Sequence, residues 1–207
     1  ESTNVHLPND LFLGSGFSMF ENSNELDATV KYGVKYTGWN DKDFYSHIIP
    51  PNYGIHFNNF KLKETIFPKL KYKKFKEIVG HIDSIETKDD LVYIEINGIT
   101  HFYDYVIDCR GTPTDYKDYV ISDVLPLNHA LVHTIDKPGD WNHTKHIATE
   151  NGWMFGIPLQ TRQNYGYMFN DNITTIEEAK EDLSKIFKTE LNLKEFKFKP
   201  YHASVFL

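Results

Sequence analysis

Two lysines, Lys31 and Lys35, are among the residues of this chain whose type could do chemistry. They lie in Val30-Lys31-Tyr32-Gly33-Val34-Lys35-Tyr36-Thr37, where Val30, Tyr32, Val34 and Tyr36 alternate with the lysines, Gly33 and Thr37. Alternation of that kind is the two-residue period of a strand with one apolar face, and it puts both lysines on the same face. Lysines so placed can be solvated surface groups. A buried one can donate a hydrogen bond from its ammonium, or lose its proton and act as a nucleophile. A second group is Gly152-Trp153-Met154-Phe155-Gly156-Ile157-Pro158-Leu159. Trp153 and Phe155, two residues apart, share a face of an extended strand and can fill a core or wall a cavity. His129, His133, His143 and His146 raise the question of a metal. His143 and His146 do not share a face of a strand, no carboxylate or Cys partner is evident, and no metal is expected. Glu1, Asp108 and Glu150 are carboxylates of the type hydrolysis uses, but nothing in the sequence brings them together. Gly14-Ser15-Gly16 lacks the third glycine, the preceding strand and the following helix of a phosphate loop.

These groups need elements to hold them. The strand from Trp153 must stop at Pro158, which cannot donate to a ladder. Ala130 to Ile135, Lys145 to Thr149 and Tyr165 to Asn170 read as its neighbours. A helix is expected from Thr175 to about Thr189, with a capping box of Thr174 and Glu177 or of Thr175 and Glu178. Ile176, Ala179, Leu183, Ile186 and Phe187 form its apolar stripe. Earlier, Leu11 to Phe20 reads as a loop and short helix, Asp41 to Pro51 as a loop, and Asn58 to Lys71 as a helix that Pro68 kinks or ends. Glu77 to Ile85, Leu91 to Ile96 and Ile99 to Phe102 read as a three-stranded meander. Asn97-Gly98 predicts a type I′ hairpin turn. Tyr105 to Cys109 is expected as a short buried strand leading into Arg110-Gly111.

Bulk properties narrow the function classes. At 207 residues the chain has length for one large domain, or for part of a larger protein. A net charge of -7 gives nucleic acid or an anionic membrane no hold. No apolar run reaches the roughly 18 residues of a membrane helix, and no signal peptide is evident. The single Cys109 excludes an internal disulfide and fits a reducing, cytoplasmic setting. The start at Glu1 without Met and the end at Phe206-Leu207 suggest that both termini are cut.

Trp153-x-Phe155-x-Ile157-Pro158 resembles the Trp-x-Trp-x-Ile-Pro signature of flavin-dependent halogenases, the tryptophan-halogenase-like family, with Phe155 replacing the second Trp. Other segments match that family in order. Glu1-Ser2-Thr3 resembles a segment beside the flavin. Lys31 stands where the family has its catalytic lysine, and Lys35-Tyr36-x-x-Trp39 resembles the Lys-Phe-x-x-Trp that follows. Gly54-Ile55-His56-Phe57 resembles the family's Tyr-His-Phe, and Val106 to Gly111 resembles Val-Asp-Cys-Ser-Gly. The resemblance implies a mixed α/β fold. That fold is a glutathione-reductase-like FAD-binding fold with an added substrate-side β-sheet, incomplete at both ends. Residues 1–111 would belong to the FAD-binding part with the lysine strand, and 112–207 to the substrate-side sheet and helix.

The implied chemistry uses reduced FAD, oxygen and a halide, chloride or bromide, to make hypohalous acid. A lysine takes that species up and directs halogen onto an electron-rich aromatic ring. On this reading Lys31 is catalytic, and Glu1, Ser2, Ile82, Asp108 and Gly111 border FAD. Trp153, Phe155, Ile157 and Pro158 form the barrier between flavin and substrate, and His47 lies on the substrate side. A separate flavin reductase would supply the reduced cofactor, the substrate would be a small aromatic, and a homo-oligomer stays open. The family's glycine-rich FAD loop would precede Glu1, and its catalytic glutamate and halide-binding residues would follow Leu207. Alternative readings are an FAD-dependent aromatic monooxygenase and a non-catalytic remnant.

Overall fold

The computed structural model describes residues 2–4, 7–40, 42–48, 52–70, 76–113, 115–117, 119–122, 124 and 126–203. The chain packs as two units, residues 1–69 with 117–207, and residues 70–116. In the first unit the chain runs β1 (Ser2–Asn4), α1 (Leu7–Ser15), α2 (Met19–Asn22), β2 (Thr29–Lys31), β3 (Gly33–Trp39), β4 (Lys42–His47), β5 (Gly54–Phe57) and α3 (Asn59–Leu70). The second unit contributes β6 (Ile82–Lys88), β7 (Leu91–Ile96) and β8 (Ile99–Tyr103). The chain then returns through β9 (Tyr119–Ile121), β10 (His129–Ile135), β11 (Thr144–Ala148), β12 (Trp153–Pro158), β13 (Gln163–Phe169), α4 (Ile176–Phe187), β14 (Leu193–Lys197) and β15 (Tyr201–Ala203).

The largest sheet has seven strands in the order β14-β10-β13-β12-β11-β3-β4. Only its β11–β3 pair is parallel. Alternation along β12 and β13 gives this sheet two unlike faces. Met154, Tyr165, Tyr167, Phe169 and Leu131 point to the face that α4 covers with Ala179 and Leu183. Helix α4 begins in a full capping box: the Thr175 hydroxyl accepts from Glu178 N–H, and Glu178 accepts from Thr175 N–H. A smaller sheet, β1-β5-β2, closes a second core of Leu11, Phe17, Met19, Leu26, Ala28, Ile55 and Phe57. In the second unit β6, β7 and β8 form the expected meander. Asn97 and Gly98 both take positive φ, 49° and 74°, as a type I′ turn requires.

The structure corrects several expectations. The lysine segment is not one strand. β2 ends at Lys31 in the small sheet, and β3 begins at Gly33 in the large one. Tyr32 between them bonds elsewhere: its N–H donates to Asn142 O and its carbonyl accepts from Ile48 N–H. Lys31 and Lys35 therefore do not share a strand face. The expected loop at 41–51 contains strand β4, an edge strand whose polar side chains face solvent. The expected strand from Glu77 starts only at Ile82. Tyr105 to Cys109 is not a buried strand, and Tyr105 and Ile107 are 92% and 88% exposed. Its apolar residues mimic a strand, but no ladder partner meets them among the described residues. Pro68 lies inside α3, whose helix continues to Leu70.

Candidate active site

Lys31 is the last residue of β2, paired in register with Gly54 of β5. Val30 pairs with Ile55, and Thr29 with His56. On the far side of β5, β1 pairs Thr3 with His56 and Ser2 with Phe57. The small sheet thus brings together segments that lie apart in the sequence, with His56 at its centre and fully buried. Lys31 is half-buried, and burial holds its ammonium below the ordinary lysine pKa.

His56 is kept uncharged. Burial first, then the nearby charges of Lys31 and His143, lower its pKa from 6.5 to about 3. Its hydrogen bonds fix its proton. The Thr29 hydroxyl has one hydrogen, and it goes to the Pro158 carbonyl at 2.7 Å. The Thr29 oxygen, 3.2 Å from His56 Nδ1, must therefore accept from that nitrogen. Nε2 is left as an acceptor for the Thr144 hydroxyl at 3.1 Å. The chain from Thr144 through His56 and Thr29 ends on Pro158, so it ties the lysine strand to the end of β12 and to the start of β11.

Strand β12 carries Trp153, Phe155 and Ile157 on the face opposite the one α4 packs. Trp153 and Phe155 are half-buried and their ring centroids are 6.1 Å apart. Phe155 pairs with Gly166 of β13, and its ring fills the space a Cβ on Gly166 would take. Trp153 meets Trp39 at 6.3 Å and His146 at 5.1 Å, and Tyr36 meets His146 at 5.0 Å. Burial, then the positive charge of Lys31, lowers the His146 pKa. Lys31, His56, His146 and the Trp153–Phe155 pair therefore occupy one neighbourhood, built from the small β1-β5-β2 sheet and the large sheet.

Of the remaining candidates, Ser2 and His47 belong to the first unit, and Ile82, Asp108 and Gly111 to the second. His47 is exposed at the end of edge strand β4, opposite Gly33, with its ring 4.4 Å from Tyr45. Glu1 lies outside the described residues, and Ser2 is placed by its backbone alone. Ile82 opens β6, half-buried and paired with Ile96. Asp108 is exposed and engaged by Arg110, whose Nε and Nη2 donate to it and hold its carboxyl down to about 2. Gly111 has φ 90° and open space where a Cβ would be, which suits close approach of a flat ligand to the backbone. An FAD assignment thus fits Gly111 better than Asp108, whose carboxylate already has a partner. No group of three or more His, Cys, Asp or Glu side chains among the described residues is arranged to hold a metal.

Thr29, Thr144 and Asp27 are residues of this neighbourhood that the sequence reading passed over, and His146 was weighed only as a metal ligand. The only signal for them was a histidine inside the short apolar strand β5. A model of the tryptophan halogenase family matches residues 52–202. The chain belongs to that family. It is 26% identical over 123 residues to tryptophan 7-halogenase KtzQ of Kutzneria sp. (strain 744), covering 54% of this chain and 21% of that protein. It is likewise 26% identical over 163 residues to tryptophan 6-halogenase ThaL of Streptomyces albogriseolus, covering 70% of this chain and 30% of that protein. The fold is similar to that of Xcc4156, a flavin-dependent halogenase from Xanthomonas campestris, with a TM-score of 0.81 at 15% identity. That likeness spans 98% of this chain and 54% of the other. The chain thus spans less than a third of the curated relatives it matches and about half of that solved structure. The expected mixed α/β architecture of a flavin-dependent halogenase holds.

Proposed function

We propose that this chain is the lysine-bearing portion of a flavin-dependent halogenase that acts on a small, electron-rich aromatic compound. The observation that carries this reading is a half-buried Lys31 with a lowered pKa, bound through Thr29 to the end of the Trp153–Pro158 strand. FAD, reduced by a separate reductase, would supply the oxidising chemistry with oxygen and a halide ion. In the second unit, Ile82 and Gly111 are the residues assigned to border it, and Asp108 would join them only if released from Arg110.

The rest is work for the chain's own groups. A lysine with a lowered pKa has both options the chemistry needs. As ammonium it donates a hydrogen bond that polarises a hypohalous acid, and as amine it can take the halogen from that acid, forming N–halogen as the O–halogen bond breaks and water leaves with the amine's proton. His56 supports it by staying neutral, since a second cation there would repel the ammonium. Trp153, Phe155, Ile157 and Pro158 form a wall that excludes water and keeps the oxidant on one route. Phe155, smaller than the family's usual indole, would leave a slightly wider passage. His47 is assigned to the substrate side, at its rim. The family names of the relatives, tryptophan 6- and 7-halogenases, favour an indole-like ring as substrate class.

The test is Lys31→Ala in the full-length protein, with product mass and flavin oxidation followed together. Halogenated product should disappear while oxidation of reduced flavin continues, because oxygen does not need the lysine to meet the flavin. Halogenation at near wild-type rate would remove Lys31 from the mechanism. Product that carries oxygen and no halogen would favour the monooxygenase alternative.

A further inference from the structure

β2 has three residues and pairs with β5 at the edge of a three-stranded sheet. So short a ladder fixes the register of Lys31 weakly, yet a lysine that delivers one atom to one ring carbon must be held closely. The residues just before β2 supply what the ladder lacks. The chain turns at Asp27, which takes a left-handed φ of 54°. Its side chain does not point to solvent but is 2% exposed. Oδ1 accepts from Thr161 N–H at 3.0 Å and Oδ2 from the Thr161 hydroxyl at 2.7 Å. Beside it, the Gln160 side chain donates to Ala28 O at 2.8 Å, and the Thr29 hydroxyl donates to Pro158 O. Residues 27–29 are thus fastened, one after another, to residues 158–161, the turn that ends β12. A buried carboxylate is costly unless donors meet it, and a positive φ alone would be served as well by Gly.

We propose that Asp27 is a positioning residue for Lys31, holding the lysine strand in register with the Trp153–Pro158 wall. The inference rests on the reading of Lys31 given above. Without the carboxylate, the head of β2 is free to slide from the turn, and Lys31 gains access to water. Its proton affinity then rises towards that of an ordinary lysine.

The test begins without flavin. Modification of Lys31 by an amine-reactive reagent is measured across pH on the full-length protein, by peptide mass spectrometry. Wild-type Lys31 should react with a midpoint below the ordinary 10.5 of lysine. Asp27→Gly removes the carboxylate and suits the left-handed backbone, and it should move that midpoint upward. Asp27→Asn tolerates the same φ and keeps an acceptor for Thr161 N–H, so it should fall between. With reduced flavin and halide, halogenated product per flavin oxidised should drop about tenfold or more in Asp27→Gly, the scale of a small misplacement, with partial rescue in Asp27→Asn. Thr161→Val removes only the hydroxyl donor and should shift both readouts less, so the test survives an Asp27→Gly that does not fold. Asp182→Asn alters another buried carboxylate, one held by Tyr167 and Asn151 on the α4 side. It should lower the melting temperature and leave both readouts unmoved. An unmoved Lys31 midpoint and product ratio in Asp27→Gly would overturn the inference, as would a shift that Asp182→Asn reproduces. If Lys31→Ala still halogenates, the reading of Lys31 fails instead, and the midpoint shift reports on positioning by itself.

Discussion

Lys35 is the natural comparison for Lys31, four residues away and identical in chemistry. It lies on β3 in the large sheet, exposed, in register with Lys145 of β11. Lys35→Ala should change stability by no more than about 0.5 kcal/mol, as for a surface substitution, and should leave halogenation near wild type. Loss of product on this substitution, measured beside Lys31→Ala, would mean that the sequence match had chosen the wrong lysine. Phe155 permits a second test at this scale. Its ring lies where a Gly166 side chain would be, so Gly166→Ala must push the ring or the strand aside. Overpacking of that kind costs about 1–3 kcal/mol, which urea unfolding would register, and an unchanged midpoint would contradict the packing of the wall. In the sequence these residues were unequally legible. Lys31 and the wall were found through a motif. His56 lay in the segment matched to the family's Tyr-His-Phe, but its partners Thr29 and Thr144 and the Asp27–Thr161 pair gave no signal, because they are distant along the chain.

At the scale of elements, the parts that declare themselves are those whose bonds are local. Helix α4 has its capping box, its apolar stripe and a left-handed residue, Lys188, closing its end. Thr175→Ala should therefore cost about 1 kcal/mol, read as a lower thermal midpoint, and full stability in that variant would mean the box contributes little. The Asn97-Gly98 turn was equally plain, since two successive positive φ values suit few other residues. Strand β12 stops at Pro158 as its sequence predicts. The break at Tyr32 was illegible for the opposite reason. Val30, Tyr32, Val34 and Tyr36 keep perfect alternation through it, and the break comes from bonds to Asn142 and Ile48. Strand β4 was hidden because an edge strand with solvent on its side chains needs no apolar period. Tyr105 to Cys109 failed in the other direction, with a strand's composition and no ladder.

At the scale of the whole first unit, a buried imidazole is one of the links between the small β1-β5-β2 sheet and the large one. His56 belongs to β5 of the small sheet, and its two nitrogens reach Thr29, which holds Pro158, and Thr144, which opens β11. That arrangement requires the neutral ring, with Nδ1 donating and Nε2 accepting. Its pKa of about 3 in the fold, against 6.5 for an unburied histidine, sets a direction for stability with pH. The unfolded chain binds this proton from about pH 6.5 downward and the folded one does not, so the contribution of His56 is full above that pH. It is lost progressively as the pH falls towards 3. The shift corresponds to about 5 kcal/mol at the acid end, as an upper figure. His143 and His146, also lowered by burial, add to the same limb. His56→Asn in the full-length protein should therefore start less stable near neutral pH, having lost the Thr144–Thr29 chain, and should then lose less stability between pH 6.5 and pH 4 than the wild type. Urea midpoints for both proteins across that range supply the measurement. Parallel loss in the two would show that His56 titrates alike in folded and unfolded chains. The neutral chain from Thr144 to Pro158 would then not be one of the links between the sheets.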